Sequence, residues 1–431
     1  MSKDNANGKD ETARAPLNFT AAQLSQLLKK YMINIEPSKK LEQLPPYLFT
    51  KINILKNEAY AKNLDVIDLG MGNPDLPTPG HIVDRLCDTV KHHANTHRYP
   101  QAKGMPKFRR AITEWMGRRF GVSLDPDNEV LGLIGSKEGI AHLCMAYLNP
   151  GDYVLVCDPA YPVHFNGVVL AGAKIHSMPL LEKNGFLPDF TKISEKTAQK
   201  AKIMFLNYPN NPTAAVVEDN NFWKEAIKFC KKYNILLVSD NAYSELTFGD
   251  YCAPSIFEFP GAKDVALEFH SFSKTFNMAG WRLGWVCGAK KLIYPLEKFK
   301  SFLDYGAPTF MQLAGVAALN GSQDCIRELS AVYERRMKKV VHGLNKIGWN
   351  VKETKATMYV WAGLPECLKK DGSLKVAEDL IKETGVVVSP GVGFGKYGEG
   401  YIRMSMVTHD KRFHDALLRI NKFTKCANNK V

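Results

Sequence analysis

Nine residues with polar or reactive side chains stand at the ends of short apolar runs, where they could meet in one site. They are Ser136, Lys137, Tyr161, Asn211, Asp240, Tyr243, Ser271, Ser273 and Lys274. Together they offer turns for a phosphate, a ring that can stack, a carboxylate, a phenol, an amide and an amine. A lysine amine is nucleophilic only without its proton, and a desolvated site beside cations lowers its pKa. Lys274, on a strand-ending turn, is therefore the candidate nucleophile.

The elements that position these residues are predicted from apolar runs rich in β-branched residues. The runs are VLGLIG (130–135), YVLVCD (153–158), IMFLNY (203–208), ILLVSD (235–240), VALEFH (265–270) and LGWVCG (283–288). Near-continuous apolar strands are typical of a sheet covered on both faces, and the helical stretches between them supply that cover. We therefore predict a doubly wound α/β domain, in which ligands bind at the carboxyl ends of the strands. The side chains gathered there fit pyridoxal phosphate better than any nucleotide.

The C-terminal part of the chain has a different pattern, of α+β type. It runs helix (320–347), strand (358–364), helix (375–384), strand (386–391), strand (401–406) and helix (411–424). We predict four parts along the chain. They are a flexible N-terminal extension (1–20), an N-terminal arm that joins the small domain (21–75), a large cofactor-binding domain (76–310) and a small C-terminal domain (311–428).

Composition argues against several classes of protein. Hydrophobic residues make up 45% and charged residues 23%, which is typical of a folded chain. The net charge is +13, but acids stand beside most of the scattered basic residues, so we expect no nucleic-acid partner. Nine cysteines are widely spaced without a CxxC pair, so we predict no metal site and no disulfide framework. No apolar run approaches the roughly 20 residues that cross a bilayer, and we expect a soluble, cytoplasmic protein without a membrane partner.

The segment HSFSKTFNMAGWRLGW, residues 270–285, resembles the lysine motif of the fold-type-I aminotransferases of class I and II. The resemblance makes Lys274 the carrier of pyridoxal phosphate, Arg282 the partner of its phosphate, and Ser271 and Ser273 further cofactor contacts. A guanidinium suits a phosphate because it donates two parallel hydrogen bonds. The family's fold is α/β, with a mostly parallel seven-stranded sheet covered by helices in the large domain and a smaller α+β domain.

The segment NYPNNPTA, residues 207–214, is similar to the family's Asn-Pro-Thr-Gly turn. The resemblance makes Asn211 a donor to the phenolic oxygen of the cofactor and a neighbour of the substrate. Ala214 stands where glycine is common, a departure that concerns only the local backbone. Taken alone, Asn-Pro-Thr is more often just a turn.

The segment SDNAYSELTFGD, residues 239–250, resembles the family's Asp-x-Ala-Tyr. Asp240 would then face the pyridine nitrogen and keep it protonated, so that the ring can accept the electrons of a carbanion. Tyr243 would share the phenolic oxygen with Asn211. The alternative for Asp240 is a capping role in the next turn.

Two further segments match the cofactor site of the family. GSKEGIAHL, residues 135–143, opens a helix whose first amides can hold a phosphate, and Ser136 and Lys137 match the family's phosphate turn. DPAYPVHF, residues 158–165, matches the segment whose aromatic residue stacks on the cofactor ring, which makes Tyr161 that residue. An ordinary helix cap and a core tyrosine are the competing interpretations.

Substrate contacts are implied by two more matches. YIRMS, residues 401–405, resembles the family's C-terminal arginine motif, so Arg403 should bind the α-carboxylate of the substrate through paired hydrogen bonds. LGMGNPD, residues 69–75, places Gly72 where a backbone amide can meet the same carboxylate.

The segment HRYPQAKG, residues 97–104, positions Tyr99 like the family's tyrosine that reaches across a dimer interface. The resemblance implies that Tyr99 contacts the phosphate bound by the neighbouring subunit. We therefore predict a homodimer with shared active sites, in which one subunit alone is incomplete.

The family's reaction is ping-pong transfer of an amino group between small amino acids and 2-oxo acids. The chain looks most like bacterial glutamate-pyruvate (alanine) transaminases and is also similar to LL-diaminopimelate aminotransferases. Dicarboxylic specificity would ordinarily need a second cation at the far end of the pocket, and no arginine lies between Arg282 and Arg327. We therefore expect alanine with 2-oxoglutarate, followed by LL-diaminopimelate and then aspartate. A carbon–sulfur lyase with the same cofactor residues and a regulatory protein on a retained fold are the alternatives.

Overall fold

The computed structural model describes residues 35–44 and 48–428. The chain divides into two units, with the boundary between Glu42 and Gln43. The described part of the first unit contains the helix Lys39–Glu42. The predicted extension (1–20) and the part of the predicted arm before residue 35 lie outside the described residues.

Two sheets and one strand pair form the β-structure of the second unit. The strands are β1 (Ile67–Asp68), β2 (Val130–Leu133), β3 (Tyr153–Asp158), β4 (Lys174–Pro179), β5 (Ala201–Leu206), β6 (Leu236–Asp240), β7 (Ala266–Ser271), β8 (Gly284–Gly288), β9 (Tyr359–Gly363), β10 (Val386–Val387), β11 (Ser389–Pro390) and β12 (Tyr401–Ser405). The larger sheet has seven strands in the order β2-β8-β7-β6-β5-β3-β4. Strand β8 pairs antiparallel with both neighbours, and the other pairs are parallel. The predicted α/β fold with a mostly parallel seven-stranded sheet is confirmed.

Each of the six predicted runs overlaps a strand of this sheet, but the sequence did not predict β4. The strand KIHSMP lies at the edge of the sheet and is largely half-exposed. An edge strand needs no continuous apolar run. It has a neighbouring strand on one side only, and part of each of its two faces is exposed to solvent. Its pattern is therefore not the one that identifies buried strands.

Helices cover both faces of the larger sheet. The helices of the second unit are Leu48–Ala61, Gly80–His92, Pro106–Phe120, Ser136–Tyr147, Pro162–Leu170, Glu195–Ala198, Asn221–Tyr233, Phe272–Thr275, Lys290–Leu303, Thr309–Asn320, Asp324–Lys346, Glu366–Lys369, Gly372–Thr384 and Asp410–Asn428. Alternate residues of β8 enter different cores: Val286 packs in one, and Trp285 and Cys287 pack in the other. This alternation is the two-sided burial that the continuous apolar runs predicted. Among the described residues, no helix is long and apolar enough to span a membrane.

A separate core lies around the three-stranded antiparallel sheet β11-β12-β9 and the parallel pair β1-β10. It joins Ile52, Ile67 and Leu69 to buried residues of the helices Asp324–Lys346 and Gly372–Thr384. Residues far apart in sequence thus share one core. The boundaries at residues 75 and 310 remain predictions.

Candidate active site

A cleft of about 800 Å³ gathers almost all of the predicted site residues. Those that line it are Gly72, Ser136, Lys137, Tyr161, Asn211, Asp240, Tyr243, Ser271, Ser273, Lys274, Arg282 and Arg403. Many of them stand at the ends of strands of the larger sheet, because the carboxyl ends of parallel strands meet at one edge of a sheet. Arg403 comes instead from the three-stranded sheet. Their roles remain predictions, but the chain does bring them to one place.

Lys274 lies in the short helix Phe272–Thr275, directly after β7. Its Nζ donates a hydrogen bond to the carbonyl of Gly72 at 2.8 Å. Burial lowers the pKa of this amine, and the nearby guanidinium groups of Arg403 and Arg282 lower it further, whereas Tyr359 opposes them. The amine therefore loses its proton more readily than an exposed lysine does, as a nucleophile requires.

A phosphate-sized cradle lies where β2 leads into the helix Ser136–Tyr147. Gly135 has φ of 79°, and a Cβ there would lie 2.5 Å from Nη2 of Arg282. A Cβ on Gly284 would lie 2.9 Å from the backbone N of Ser136. No side chain caps the helix at Gly135, so its first amides are available to an anion at the positive end of the helix dipole. Arg282, itself in the left-handed region with φ of 54°, adds a cation beside these amides.

Ser271 and Ser273 lie across this cradle, at the end of β7. The hydroxyl oxygen of Ser271 accepts a hydrogen bond from the backbone N–H of Ser273 at 3.2 Å, which fixes the start of the lysine-bearing turn. Lys137 is exposed, and its ammonium lies 5.9 Å from the ring centroid of Tyr161. That distance allows a cation–π contact across the mouth of the cleft.

Asp240 is buried at the end of β6 and has one oxygen in need of a donor. Its Oδ2 lies 3.1 Å from Nε2 of His164, whereas its Oδ1 is buried without a hydrogen-bond partner among the described residues. A buried carboxylate oxygen without a donor is costly, and the protonated nitrogen of a pyridine ring would supply that donor. The residues present thus fit pyridoxal phosphate. His164 was not predicted to be functional, although it stands three residues after Tyr161 in the segment DPAYPVHF. Its ring stacks on Phe205.

Arg403 is buried in β12 and held from several sides. Its Nη1 donates to Oδ1 of Asn211 at 2.8 Å, and its Nη2 donates to the carbonyl of Gly70 at 2.9 Å. Nδ2 of Asn211 donates in turn to the hydroxyl of Tyr243 at 3.4 Å. The predicted substrate arginine and the predicted cofactor amide therefore form one network.

Two of the residues around this network were not predicted to be functional. Tyr359 contributes a hydroxyl 3.0 Å from that of Tyr243, and its ring lies against the Arg403 guanidinium. Gly70 contributes a carbonyl. Gly70 lies in the segment LGMGNPD, but the sequence does not show that its carbonyl or the ring of Tyr359 meets Arg403, because these contacts depend on the pairing of distant strands.

Tyr99 does not line the cleft of its own chain. Its side chain is 90% exposed, and its ring centroid lies 5.7 Å from that of Tyr305. Such a position suits a residue that serves another subunit, and that role remains a prediction.

Ala214 has φ of 57°, in the left-handed region where glycine is favoured. Although alanine replaces the family's glycine here, the backbone keeps the left-handed conformation that glycine would adopt. The amide of Ala214 donates to the carbonyl of Asn210 at 2.9 Å and closes the turn next to Asn211.

Comparisons with known proteins agree with this geometry. Residues 64–420 match the family described as aminotransferase class I and II. The chain is 48% identical over 386 residues to an LL-diaminopimelate aminotransferase of Dehalococcoides mccartyi, which covers 90% of this chain and 98% of that protein. It is 44% identical over 378 residues to the glutamate-pyruvate aminotransferase AlaC of Escherichia coli, at 88% and 91% coverage. The substrate-bound BacF structure from Bacillus subtilis superimposes with a TM-score of 0.86 at 38% identity, covering 91% of this chain and 98% of that one. The chain therefore belongs to the class I and II aminotransferases and is a pyridoxal-phosphate-dependent transaminase.

Proposed function

We propose that this enzyme transfers an amino group from LL-diaminopimelate to 2-oxoglutarate by a ping-pong mechanism. Two relatives named LL-diaminopimelate aminotransferase, from Dehalococcoides mccartyi and Moorella thermoacetica, are 48% and 45% identical across 90% of the chain. The sequence motifs alone favoured alanine, but the similar proteins favour diaminopimelate. Alanine is the second candidate, because AlaC is 44% identical over 88% of the chain.

The observation that carries this proposal is an exposed ammonium at the mouth of the cleft. The lysines and arginines that line the cleft are Lys137, Lys274, Arg282 and Arg403. The last three have predicted partners in the amino group, the phosphate and the α-carboxylate. Lys137 offers its backbone amide to the phosphate turn, which leaves its side chain for a second carboxylate. LL-diaminopimelate and 2-oxoglutarate both carry a carboxylate at their far end, so both half-reactions would use this contact. In the reaction of alanine only 2-oxoglutarate would use it.

In the proposed reaction, different residues of the cleft have different roles. When bound, pyridoxal phosphate supplies the carbon that takes the amino group and a ring that withdraws electrons from the substrate. Arg403 holds the α-carboxylate, and Asp240 holds a proton on the ring nitrogen. Lys274 Nζ, with its lowered pKa, accepts the proton from Cα of the substrate and delivers it again as a general acid.

A screen of half-reactions tests the substrate. The cofactor-loaded enzyme is mixed with each of the twenty common amino acids and with LL-diaminopimelate, and the cofactor absorbance is followed by stopped flow. We expect the highest ratio of rate to dissociation constant with LL-diaminopimelate. A higher ratio with alanine would make alanine, and not LL-diaminopimelate, the amino donor. Release of pyruvate and ammonia without an added oxo acid would instead indicate a lyase.

We also propose a cytoplasmic homodimer with shared active sites. Large apolar side chains are exposed on the helix Lys290–Leu303 and next to it, beyond what isolated surface residues explain. They are Tyr99, Tyr294, Phe302, Leu303 and Tyr305. A second copy of the chain would cover them and bring Tyr99 to its neighbour's cleft. Nine cysteines without a disulfide suit a reducing compartment.

A further inference from the structure

Strand β9 brings a tyrosine without a predicted role, Tyr359, into the wall of the cleft. In the antiparallel pair of β12 and β9, Arg403 stands opposite Trp361, and Ser405 stands opposite Tyr359. Because alternate residues of a strand share a face, Tyr359, Trp361 and Arg403 lie on the same side of this sheet. Tyr359 is only 3% exposed, so its contacts are those of a buried group.

The ring of Tyr359 supports the guanidinium of Arg403. The Cζ atom of Arg403 lies 4.2 Å from the ring centroid of Tyr359 and 4.6 Å from that of Phe394. A guanidinium stacks on aromatic rings, because their faces carry partial negative charge. With Nη1 also bonded to Asn211, the rings restrict the directions in which the guanidinium can turn.

The hydroxyl of Tyr359 lies among groups that face the cofactor and the substrate. It is 3.0 Å from the hydroxyl of Tyr243. It also lies against Gly72, where any Cβ would overlap it, and the carbonyl of Gly72 accepts the hydrogen bond of Lys274. A larger residue than glycine would therefore displace the tyrosine.

The role proposed for Tyr243 decides which of the two phenols donates, and the electrostatics agree with it. Burial by itself raises the pKa of both, but Arg403 and Lys274 bring the pKa of Tyr359 below its ordinary value, whereas that of Tyr243 stays well above. Tyr243 needs its own proton to donate to the cofactor, so within the 3.0 Å contact the Tyr359 hydroxyl is the donor and the Tyr243 oxygen the acceptor. The lower pKa of Tyr359 agrees with this direction. The O–H of Tyr243 is then left to donate into the cleft.

We propose that Tyr359 is a positioning residue of the amino-acid site. Its ring aims Arg403 at the α-carboxylate of the substrate, and its hydroxyl turns the O–H of Tyr243 toward the cofactor. The inference rests on the roles proposed for Arg403 and Tyr243. If Tyr359 only filled the core, its substitution would change stability and leave both alignments as they are.

Two substitutions separate the ring from the hydroxyl. Tyr359→Leu removes both, and Tyr359→Phe removes only the hydroxyl. Binding of butanoate, a carboxylic acid without an amine, is measured on the cofactor-loaded protein by titration calorimetry. Loss of the ring contact should weaken butanoate binding about 2- to 30-fold in Tyr359→Leu. Binding to Tyr359→Phe should stay within about twofold of the wild type, because its ring is kept.

The hydroxyl is tested by the pH dependence of the cofactor absorbance. Without the bond from Tyr359, Tyr243 is a weaker donor to the cofactor's phenolic oxygen, because bonds in a chain strengthen one another. The pH midpoint of the absorbance change should therefore rise by about 0.3 to 1 unit in Tyr359→Phe. The other titratable or charged groups around the two phenols are Lys274, Arg403, Tyr161 and Tyr333, and these variants leave them in place.

Tyr333→Phe is the matched control, since Tyr333 is a buried tyrosine whose hydroxyl has no hydrogen-bond partner among the described residues. It should change neither readout. Wild-type butanoate affinity in a folded Tyr359→Leu would overturn the role of the ring, and an unchanged midpoint in Tyr359→Phe would overturn that of the hydroxyl. If Arg403→Ala binds butanoate as the wild type does, the proposed role of Arg403 is itself wrong, and the two failures are thereby distinguished.

Discussion

At the residue scale, burial of Lys274 favours the unprotonated amine that its predicted role requires, at a cost in stability. Its ordinary pKa is 10.5, and burial, aided by Arg403 and Arg282, lowers that value in the folded protein. Between the lowered pKa and 10.5 the unfolded chain therefore binds more protons than the folded one. Over that range the stability of the cofactor-free protein should rise with pH.

Lys274→Met should remove the covalently bound cofactor colour and reduce turnover by several orders of magnitude, because the bond to the cofactor and the proton transfer at Cα are both assigned to the Lys274 amine. The cofactor-free variant should also be more stable than the cofactor-free wild type at neutral pH. This difference should shrink as the pH approaches 10.5, where both states of the wild type lose the proton. Absorbance spectra and urea unfolding at several pH values measure both effects. A variant that still cycles would remove Lys274 from its role.

Arg403→Ala should raise the KM for amino acids about 100-fold or more, since each charge-assisted hydrogen bond to the carboxylate is worth about 1.5–3 kcal/mol. The cofactor colour should persist, because Lys274 is untouched. Steady-state kinetics and spectra test this pair of outcomes. Arg335→Ala, an exposed arginine paired with Asp410, is the control and should leave KM unchanged. Unchanged KM in Arg403→Ala would count against the assignment.

Lys137→Met tests the proposed contact with the far carboxylate. The KM for LL-diaminopimelate and for 2-oxoglutarate should rise about 3- to 30-fold, as expected for one partly exposed charge-assisted contact. The KM for alanine serves as the internal control and should change little. Equal effects on all three substrates would assign Lys137 to the cofactor instead.

At the scale of elements, a buried ion cluster ties the phosphate turn to a neighbouring helix. Lys300, fully buried in the helix Lys290–Leu303, lies 2.8 Å from Glu138 and 3.0 Å from Asp304. The other oxygen of Glu138 accepts the N–H of Ile134 at 2.9 Å, just before the phosphate turn. Burial raises the pKa of Glu138, but His142 and Lys300 outweigh it and leave the pKa below its ordinary value.

Lys300→Met should destabilise the protein by about 3–5 kcal/mol, because two partly buried carboxylates lose their shared cation. In the wild type, the contribution of Glu138 is present above its ordinary pKa of 4.5 and is lost as pH falls through the lowered value. The destabilisation should therefore be largest near neutral pH and decrease in acid. Urea unfolding measures it. Lys228→Met, at an exposed position of the helix Asn221–Tyr233, should change stability by no more than about 0.5 kcal/mol, since that helix carries none of the apolar residues proposed to face the second copy.

At the scale of the whole molecule, the exposed Tyr99 and the cleft predict that two subunits build each site. A mixture of Tyr99→Ala and Lys274→Ala subunits, unfolded and refolded together, should recover activity beyond that of either variant alone. Random pairing gives one intact site in each mixed dimer, or about a quarter of the wild-type activity. Sedimentation analysis measures whether dimers form, and activity assays measure how much activity is recovered. Activity no higher than that of the variants refolded separately would show that Tyr99 serves no neighbouring site.

Much of the large sheet and of the cofactor site could be predicted because both depend on local patterns. Buried strands carry continuous apolar runs, and parallel strands bring their carboxyl ends together. The residues that follow those runs, such as Asp240 and Lys274, therefore meet in one cleft. The edge strand β4 has no such run and could not be predicted.

The sequence by itself determined the enzyme family and the edge of the sheet at which the candidate site residues meet, and it predicted Lys274 as the central lysine. Only the tertiary structure decided that Tyr359 supports Arg403 and that His164 pairs with Asp240. The physical reason is the distance along the sequence between the residues that interact. A motif records which residues follow a strand, whereas these contacts depend on the register between strands and on the packing of segments far apart in the chain.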